Sequence, residues 1–237
     1  MSEHFSYSIS MKTCQDLPKI VFFGTSEFGA IILEKLVQAN LSPVLVVTTP
    51  DKPAGRKQVL TPPPVKVAAQ KFRIPVIQPA TLTISNFKFL ISKQFQNSND
   101  QNFKPDLFIV AAYGKILPKA LLDIPMKGSL NVHPSLLPKY RGSSPVHSAL
   151  LNGDAETGVS IIVLDEKMDH GPIAAVERFG VQKKYAYPEL HNALAELGGD
   201  LLIRTIPLWT EGKIQAQAQD DSVAIYTSMI KKEDGRI

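Results

Sequence analysis

Two short apolar runs, separated by a helical pattern, constrain the fold of this chain most strongly. Residues 20–23, Ile-Val-Phe-Phe, end at Gly24, and residues 44–47, Val-Leu-Val-Val, form the second run. Continuous apolar runs of this length are typical of strands covered on both faces. Between them a polar turn offers N-cap oxygens, and apolar residues then recur at three-to-four spacing up to Ala39. This order predicts a right-handed crossover between parallel strands.

The same alternation continues along the chain. Further strands are predicted at 75–77, 106–112, 128–133, 159–164 and 173–179, with one short extended piece in the polar tail. Further helices are predicted at 65–72, 83–95, 117–122, 145–151 and 188–209. The run 106–112 is the most apolar, so we expect it at the sheet centre, with the next strand beside it. The chain is therefore expected to be an α/β protein with an open, mostly parallel sheet and helices on both faces.

Composition places the chain among ordinary globular proteins, with 44% hydrophobic and 20% charged residues in 237. We expect a disordered leader at 1–18, a globular domain at 19–212, and a tail or linker start at 213–237. No apolar run approaches the roughly 18 residues of a membrane span, and no secretory signal precedes the first strand. The single cysteine, Cys14, excludes an internal disulfide. We therefore expect a cytoplasmic protein without a membrane partner.

Residues 128–142 carry the most informative polar side chains. Asn131 and His133 flank Val132 in a predicted strand, so both side chains point to one face, and Pro134 ends the strand. An amide at this position can stabilise a developing oxyanion, and an imidazole can do the same when protonated or can transfer protons. The alternative is an ordinary strand end whose polar side chains cap a turn.

A carboxylate beside the imidazole would hold it and favour its charged form. Asp169 is the best-placed acid because a Gly-Pro turn follows it, whereas Asp165 and Glu166 are expected to be solvated. Such a trio suits direct formyl or acyl transfer to an amine through a tetrahedral intermediate, without a covalent enzyme species. The spacing alone does not place any of these acids against His133.

Other kinds of site fit the sequence less well. Residues 24–29 lack the glycine spacing of a dinucleotide fingerprint and carry an acidic residue where pyrophosphate would lie. The chain has no Gly-x-Ser-x-Gly elbow, and its histidines lack the spacing of known zinc motifs, so we expect no metal. The segment from Asp51 to Lys66 carries four cations against one anion, which suits a polyanion, although a solvated basic turn is the alternative.

Residues 131–142, NVHPSLLPKYRG, resemble the signature of the 10-formyltetrahydrofolate-dependent formyltransferases. Residues 168–173, MDHGPI, resemble the acidic loop of that family. Residues 20–25, IVFFGT, and 51–56, DKPAGR, are most similar to its members that act on methionyl-tRNA. The likeness covers residues 19–237. It implies a Rossmann-like fold and a catalytic domain at 19–212 that transfers formyl from 10-formyltetrahydrofolate to initiator methionyl-tRNA.

The resemblance also implies roles for individual residues. Asn131, His133 and Asp169 would be the catalytic trio. The basic side chains Arg56, Lys57 and Lys52 would contact the acceptor end of the tRNA. The folate donor would be bound by Ser135, Leu136, Leu137, Pro138, Tyr113, Gly114, Ile116 and Leu117. No metal is implied, Lys115 is assigned no role, and we expect a monomer.

Two alternatives remain open at this point. The same chemistry could act on glycinamide ribonucleotide or an amino-sugar nucleotide, but such small acceptors do not need the basic loop. A non-catalytic folate- or RNA-binding domain would not need the trio. The tRNA-dependent members of the family carry a further β-barrel domain of the OB type, and the chain stops at Ile237, near the expected start of the linker to it. Affinity and selectivity for tRNA are therefore left open.

Overall fold

A computed structural model describes residues 17–95, 103–230 and 232–235. Most of the expected leader 1–18 lies outside these residues. The strands are β1 Ile20–Gly24, β2 Leu45–Val47, β3 Lys52–Ala54, β4 Val59–Thr61, β5 Val76–Ile77, β6 Leu107–Ala111, β7 Ser129–His133, β8 Arg141–Gly142, β9 Glu156–Val163, β10 Ile173–Gly180 and β11 Tyr226–Thr227. The helices are α1 Glu27–Gln38, α2 Pro64–Lys71, α3 Ile84–Phe95, α4 Lys119–Leu122, α5 Pro145–Leu151 and α6 Tyr187–Thr210, with 3-10 turns at Asp221–Val223 and Lys232–Gly235.

Seven of the described strands form one sheet in the order β10-β9-β7-β6-β1-β2-β5. Neighbours from β7 to β5 pair in parallel, whereas β9 runs antiparallel to both β7 and β10. The prediction of an open, mostly parallel sheet is confirmed. The position of β6 at the centre, with β7 beside it, is confirmed as well.

Alternate residues of β1 enter two hydrophobic cores, one on each face of the sheet. Ile20 and Phe22 lie in the core formed with α1, α2, α5 and α6, while Val21 and Phe23 lie in the core formed with α3 and α4. Each large apolar side chain that is buried in this way contributes about 1.5–3 kcal/mol to folding. Helices on both faces are thereby confirmed. No helix among the described residues is both long and apolar enough to cross a membrane.

Gly198 allows α6 to pack closely against β7. A Cβ at this position would lie 2.8 Å from Cγ1 of Val132, so a larger residue would push the helix away from the strand. A glycine inside a helix costs about 1 kcal/mol relative to alanine, and the close approach accounts for its presence here. Because Val132 faces α6 in this core, Asn131 and His133 point to the opposite face of the sheet, as predicted.

The basic segment after β2 is a hairpin, where the sequence indicated only a polar loop. β3 and β4 pair antiparallel, and all six of their residues are exposed. Asp51 anchors the hairpin base by accepting hydrogen bonds from Lys66 Nζ at 2.8 Å and Gln78 Nε2 at 2.7 Å. Because β2 is parallel to β1, and β1 to β6, the hairpin leaves the sheet at the edge where β6 ends.

Candidate active site

A cleft of about 600 Å³ opens at the carboxyl ends of the parallel strands. Ligands of open α/β sheets bind at this edge, and the volume is within the range of small-molecule sites. The walls come from the exit of β6, the end of β7, the loop after β9, and the first residues of α5 and α6. Across the described residues, no group of three or more His, Cys, Asp or Glu side chains is arranged to hold a metal ion.

Asn131, His133 and Asp169 meet at one end of this cleft. Asn131 Nδ2 lies 3.5 Å from Oδ1 of Asp169, and His133 Nδ1 lies 3.6 Å from Oδ2 of the same carboxylate. Only 9% of Asn131 and 4% of His133 is exposed. Asp165 instead forms an ion pair with His170, and Glu166 is exposed. Of the three acids considered from the sequence, the structure therefore brings Asp169 to the imidazole.

One hydrogen bond of His133 identifies a ring nitrogen that carries a proton. Nε2 lies 2.9 Å from the main-chain oxygen of Tyr140. A carbonyl oxygen can only accept a hydrogen bond, so Nε2 carries a proton. Nδ1 therefore faces Asp169 either with a free lone pair or, when the ring is charged, with a second N–H.

Asp169 reaches this position by an indirect route. Because β9 runs antiparallel to β7, the loop that follows β9 starts beside Leu130, near the beginning of β7. The backbone of Asp169 adopts a left-handed conformation with φ +50°, which is uncommon for a residue other than glycine. Its Oδ2 accepts a hydrogen bond of 2.8 Å from the amide of Gly142. The carboxylate is thus held by the backbone of β8 as well as by its own loop.

Tyr113, Gly114, Ile116 and Leu117 line the cleft, and their contact with a folate donor stays a prediction. The Tyr113 side chain is buried edge-on against Phe23, with ring centroids 5.6 Å apart. Its hydroxyl has no hydrogen-bond partner among the described residues, and burial raises the pKa of Tyr113 to about 12. The phenol is therefore neutral at neutral pH, and its oxygen is buried. Lys115 Nζ donates to the carbonyl of Ala80 at 2.9 Å, which ties this segment to the chain after β5.

Ser135, Leu136, Leu137 and Pro138 do not line the cleft; they form a turn packed against β9. Ser160 Oγ donates to the carbonyl of Ser135 at 2.7 Å and accepts from the amide of Leu137 at 3.1 Å. This turn leads the chain to Tyr140, whose main-chain carbonyl accepts the hydrogen bond from His133. Contact of these four residues with a folate donor stays a prediction.

An aromatic wall of the cleft was missed in the sequence. His147 stacks on Tyr187 at 4.0 Å between ring centroids, and His191 lies 5.3 Å from Tyr187 and 5.6 Å from Phe28. Burial, together with the charge of His191, lowers the pKa of His147 below its usual value. The spacing of Tyr187 and His191 by four residues on α6 was the one sequence signal for this wall.

Arg56 and Lys57 occupy the turn of the β3–β4 hairpin, and Lys52 lies on β3. All three side chains are exposed. In the described part of the chain none of them has an ion-pair partner, in contrast to Lys66, which is paired with Asp51 at 2.8 Å. Their charges are therefore available to a polyanion that approaches this edge of the sheet.

Comparison with known proteins gives consistent matches. Residues 18–206 match the sequence profile of the family described as formyl transferase. A methionyl-tRNA formyltransferase of Chloroflexus aurantiacus is 45% identical over 219 residues, which cover 92% of this chain and 68% of the relative. The enzyme of that name from Halalkalibacterium halodurans is 43% identical over 219 residues, which cover 92% of this chain and 66% of the relative. The chain thus spans about two thirds of the length of these relatives.

Solved structures share the fold at lower sequence identity. An N-formyltransferase from Helicobacter canadensis, in complex with folinic acid and dTDP-3-aminofucose, superposes with a TM-score of 0.63 over 93% of this chain and 73% of that chain. The sequence identity is 18%, so this likeness concerns the fold.

Proposed function

The chain belongs to the formyl transferase family, and from this premise we propose that it transfers a formyl group from 10-formyltetrahydrofolate to the α-amine of methionine on initiator tRNA. One observation supports the proposal above all. Asn131, His133 and Asp169 converge within 3.6 Å at the end of a cleft that can hold a small molecule. An amide, an imidazole and a carboxylate in contact are the groups that direct formyl transfer to an amine requires.

Each member of the trio has a task in this reaction. The amine nitrogen bonds to the formyl carbon, and the bond from that carbon to the donor nitrogen breaks. Asn131 and the charged His133 stabilise the negative oxygen of the tetrahedral intermediate, which is worth about 3 kcal/mol per donor in known sites. Because His133 Nε2 is engaged by Tyr140, its Nδ1–H is the donor available to that oxygen.

Asp169 balances the charge and helps with proton transfer. Its carboxylate stabilises the imidazolium at 3.6 Å and helps to remove one proton from the attacking amine. The leaving nitrogen of tetrahydrofolate gains one proton, so the protein is unchanged after the transfer. No covalent enzyme species is required.

The donor is a folate that occupies the cleft beside the exit of β6. The apolar side chains Ile116 and Leu117 would contact the pteridine beside Tyr113. A folate compound is bound in the Helicobacter canadensis formyltransferase, which has the same fold. The residues present therefore suit a donor of this class.

The acceptor is indicated by the relatives and by the basic hairpin. Proteins named methionyl-tRNA formyltransferase match 92% of this chain at 43–45% identity. Arg56, Lys57 and Lys52 are free to bind the phosphates of the tRNA acceptor end. We expect the protein to act as a monomer in the cytoplasm.

The proposal is tested with purified protein, 10-formyltetrahydrofolate and charged initiator tRNA. Formylmethionine, detected after hydrolysis of the tRNA ester, is the expected product, and elongator methionyl-tRNA is the control for selectivity. Transfer to glycinamide ribonucleotide or an amino-sugar nucleotide, with none to methionyl-tRNA, would show that the acceptor is wrong. Folate binding without transfer to any of these amines would contradict catalysis.

A further inference from the structure

The position of Asp169 depends on Gln219, which lies 50 residues later in the chain. The surroundings must stabilise the left-handed backbone of Asp169, because this conformation is unfavourable for most residues other than glycine. Nε2 of Gln219 donates hydrogen bonds to the main-chain oxygens of Asp169 at 2.9 Å and Gly171 at 2.8 Å. One side-chain amide therefore fixes the main chain on both sides of His170.

The oxygen of the same side-chain amide holds Arg141, the residue before the one whose main-chain amide binds the Asp169 carboxylate. Gln219 Oε1 accepts hydrogen bonds from Arg141 Nε at 3.0 Å and Nη2 at 2.9 Å. Arg141 is fully buried and immediately precedes Gly142, whose amide donates to Asp169 Oδ2 at 2.8 Å. Because Nε2 faces two carbonyl oxygens and Oε1 faces a guanidinium, only one orientation of the amide satisfies all four contacts.

Residues 217–227, which we name the C-terminal strap, hold Gln219 in place. The backbone of Gln217 pairs with Ile173, and β11 pairs in parallel with β8. Asp221 accepts a hydrogen bond of 2.8 Å from Arg141, which, together with the charge of His170, lowers the pKa of the Asp221 carboxyl. The strap lies outside residues 18–206, the part that matches the family profile.

We propose that Gln219 is a positioning residue for Asp169, and that the C-terminal strap supports the active site through this one side chain. This inference rests on the proposed function of the cleft. Gln219 does not line the cleft. It links the main chain of the Asp169 loop to Arg141, and so sets the distance from the carboxylate to Asn131 and His133.

The test replaces Gln219 by methionine, which has similar length but cannot form these hydrogen bonds. Misplacement of a catalytic group by about 1 Å can cost about a hundredfold, so we expect kcat for formyl transfer to fall about 10- to 100-fold. Gln217→Met is the matched control, because the Gln217 side chain is exposed and its pairing uses only the backbone. This control is expected to keep the wild-type kcat.

A double-mutant cycle separates positioning from a general structural role. If Gln219 acts through the Asp169 carboxylate, Gln219→Met should change kcat less than about twofold in the Asp169→Asn background. Equal losses in both backgrounds, or an unchanged kcat in the single variant, would overturn the proposal. If Gln219→Met does not fold, Gln219→Glu replaces it in the same cycle, because it keeps the acceptor for Arg141 but lacks both donors.

Hydrogen–deuterium exchange gives a readout that does not depend on activity. The segment 165–172 and the amide of Gly142 should exchange faster in Gln219→Met than in the wild type, and not in Gln217→Met. If the wild type forms no formylmethionine, the proposed function is wrong and this exchange alone decides whether Gln219 fixes the loop. Unchanged exchange in that case would overturn the positioning role.

Discussion

Neutralising the hairpin tip should change the salt dependence of tRNA binding. Arg56 and Lys57 are exposed on a turn between Gly55 and Gln58, and neither has an ion-pair partner in the described part of the chain. Each phosphate contact contributes about 0.7–0.9 to the slope of log affinity against log salt, so Arg56→Gln/Lys57→Gln should reduce this slope by about 1.4–1.8. Between about 50 and 200 mM salt, the ratio of wild-type to variant affinity for tRNA should therefore fall about tenfold.

The assay is the KM for methionyl-tRNA in the formylation reaction at several salt concentrations. The kcat and the KM for the folate donor should not change, because the hairpin base and the cleft stay intact. Lys71→Gln/Arg73→Gln is the control: it removes the same charge from exposed positions at the C-terminal end of α2, at the opposite edge of the sheet, where Lys71 pairs with Glu34. An unchanged slope in the hairpin variant, or an equal change in the control, would refute the assignment of this hairpin to tRNA.

Two further predictions concern the cleft and the Asp169 loop. Tyr113→Phe removes a buried hydroxyl without a partner in the described residues, so at neutral pH the variant should be at least as stable as the wild type, by up to about 1 kcal/mol in thermal denaturation. Burial raises the folded-state pKa of Tyr113 to about 12, so above about pH 10 the phenol ionises first in the unfolded chain. The wild type should therefore lose stability relative to Tyr113→Phe as the pH rises from about 10 to about 12. Gly171→Ala places a Cβ 1.7 Å from the main-chain oxygen of Val163, so we expect about 1–3 kcal/mol of destabilisation and a displaced Asp169. Gly180→Ala is the control, because no atom lies within 4 Å of its Cβ, and it should behave as wild type. Equal melting temperatures and activities for the two glycine variants would contradict this account of the loop.

The central part of the sheet could be predicted because its strands are buried on both faces. The runs that became β1, β2 and β6 are continuous in apolar residues, and burial of nearly every side chain in them leaves a clear signal in the sequence. The shared face of Asn131 and His133 followed from the strand period in the same way. These features are local, so single-sequence reasoning reaches them.

The hairpin and the strap left no comparable signal. β3 and β4 bury no face, and their pairing therefore produces no pattern of apolar residues. The role of Gln219 depends on contacts with residues 50 and 78 positions earlier in the chain, within a polar segment. Long-range hydrogen bonds of this kind are visible only in the folded structure. β9 runs antiparallel to β7, and this direction determines where the loop that carries Asp169 begins. The spacing of residues 165–172 in the sequence did not indicate this direction.

The central claim is that the trio in the cleft catalyses formyl transfer to methionyl-tRNA. The direct measurement is the rate of formylmethionyl-tRNA formation in a single turnover, with saturating 10-formyltetrahydrofolate, for the wild type and for Asn131→Ala, His133→Ala and Asp169→Ala. Each variant should fold, as judged by circular dichroism, and should react at least about a hundredfold more slowly than the wild type. A near wild-type rate in any of the three would contradict the role of that residue, and a wild type that forms no product would contradict the claim itself.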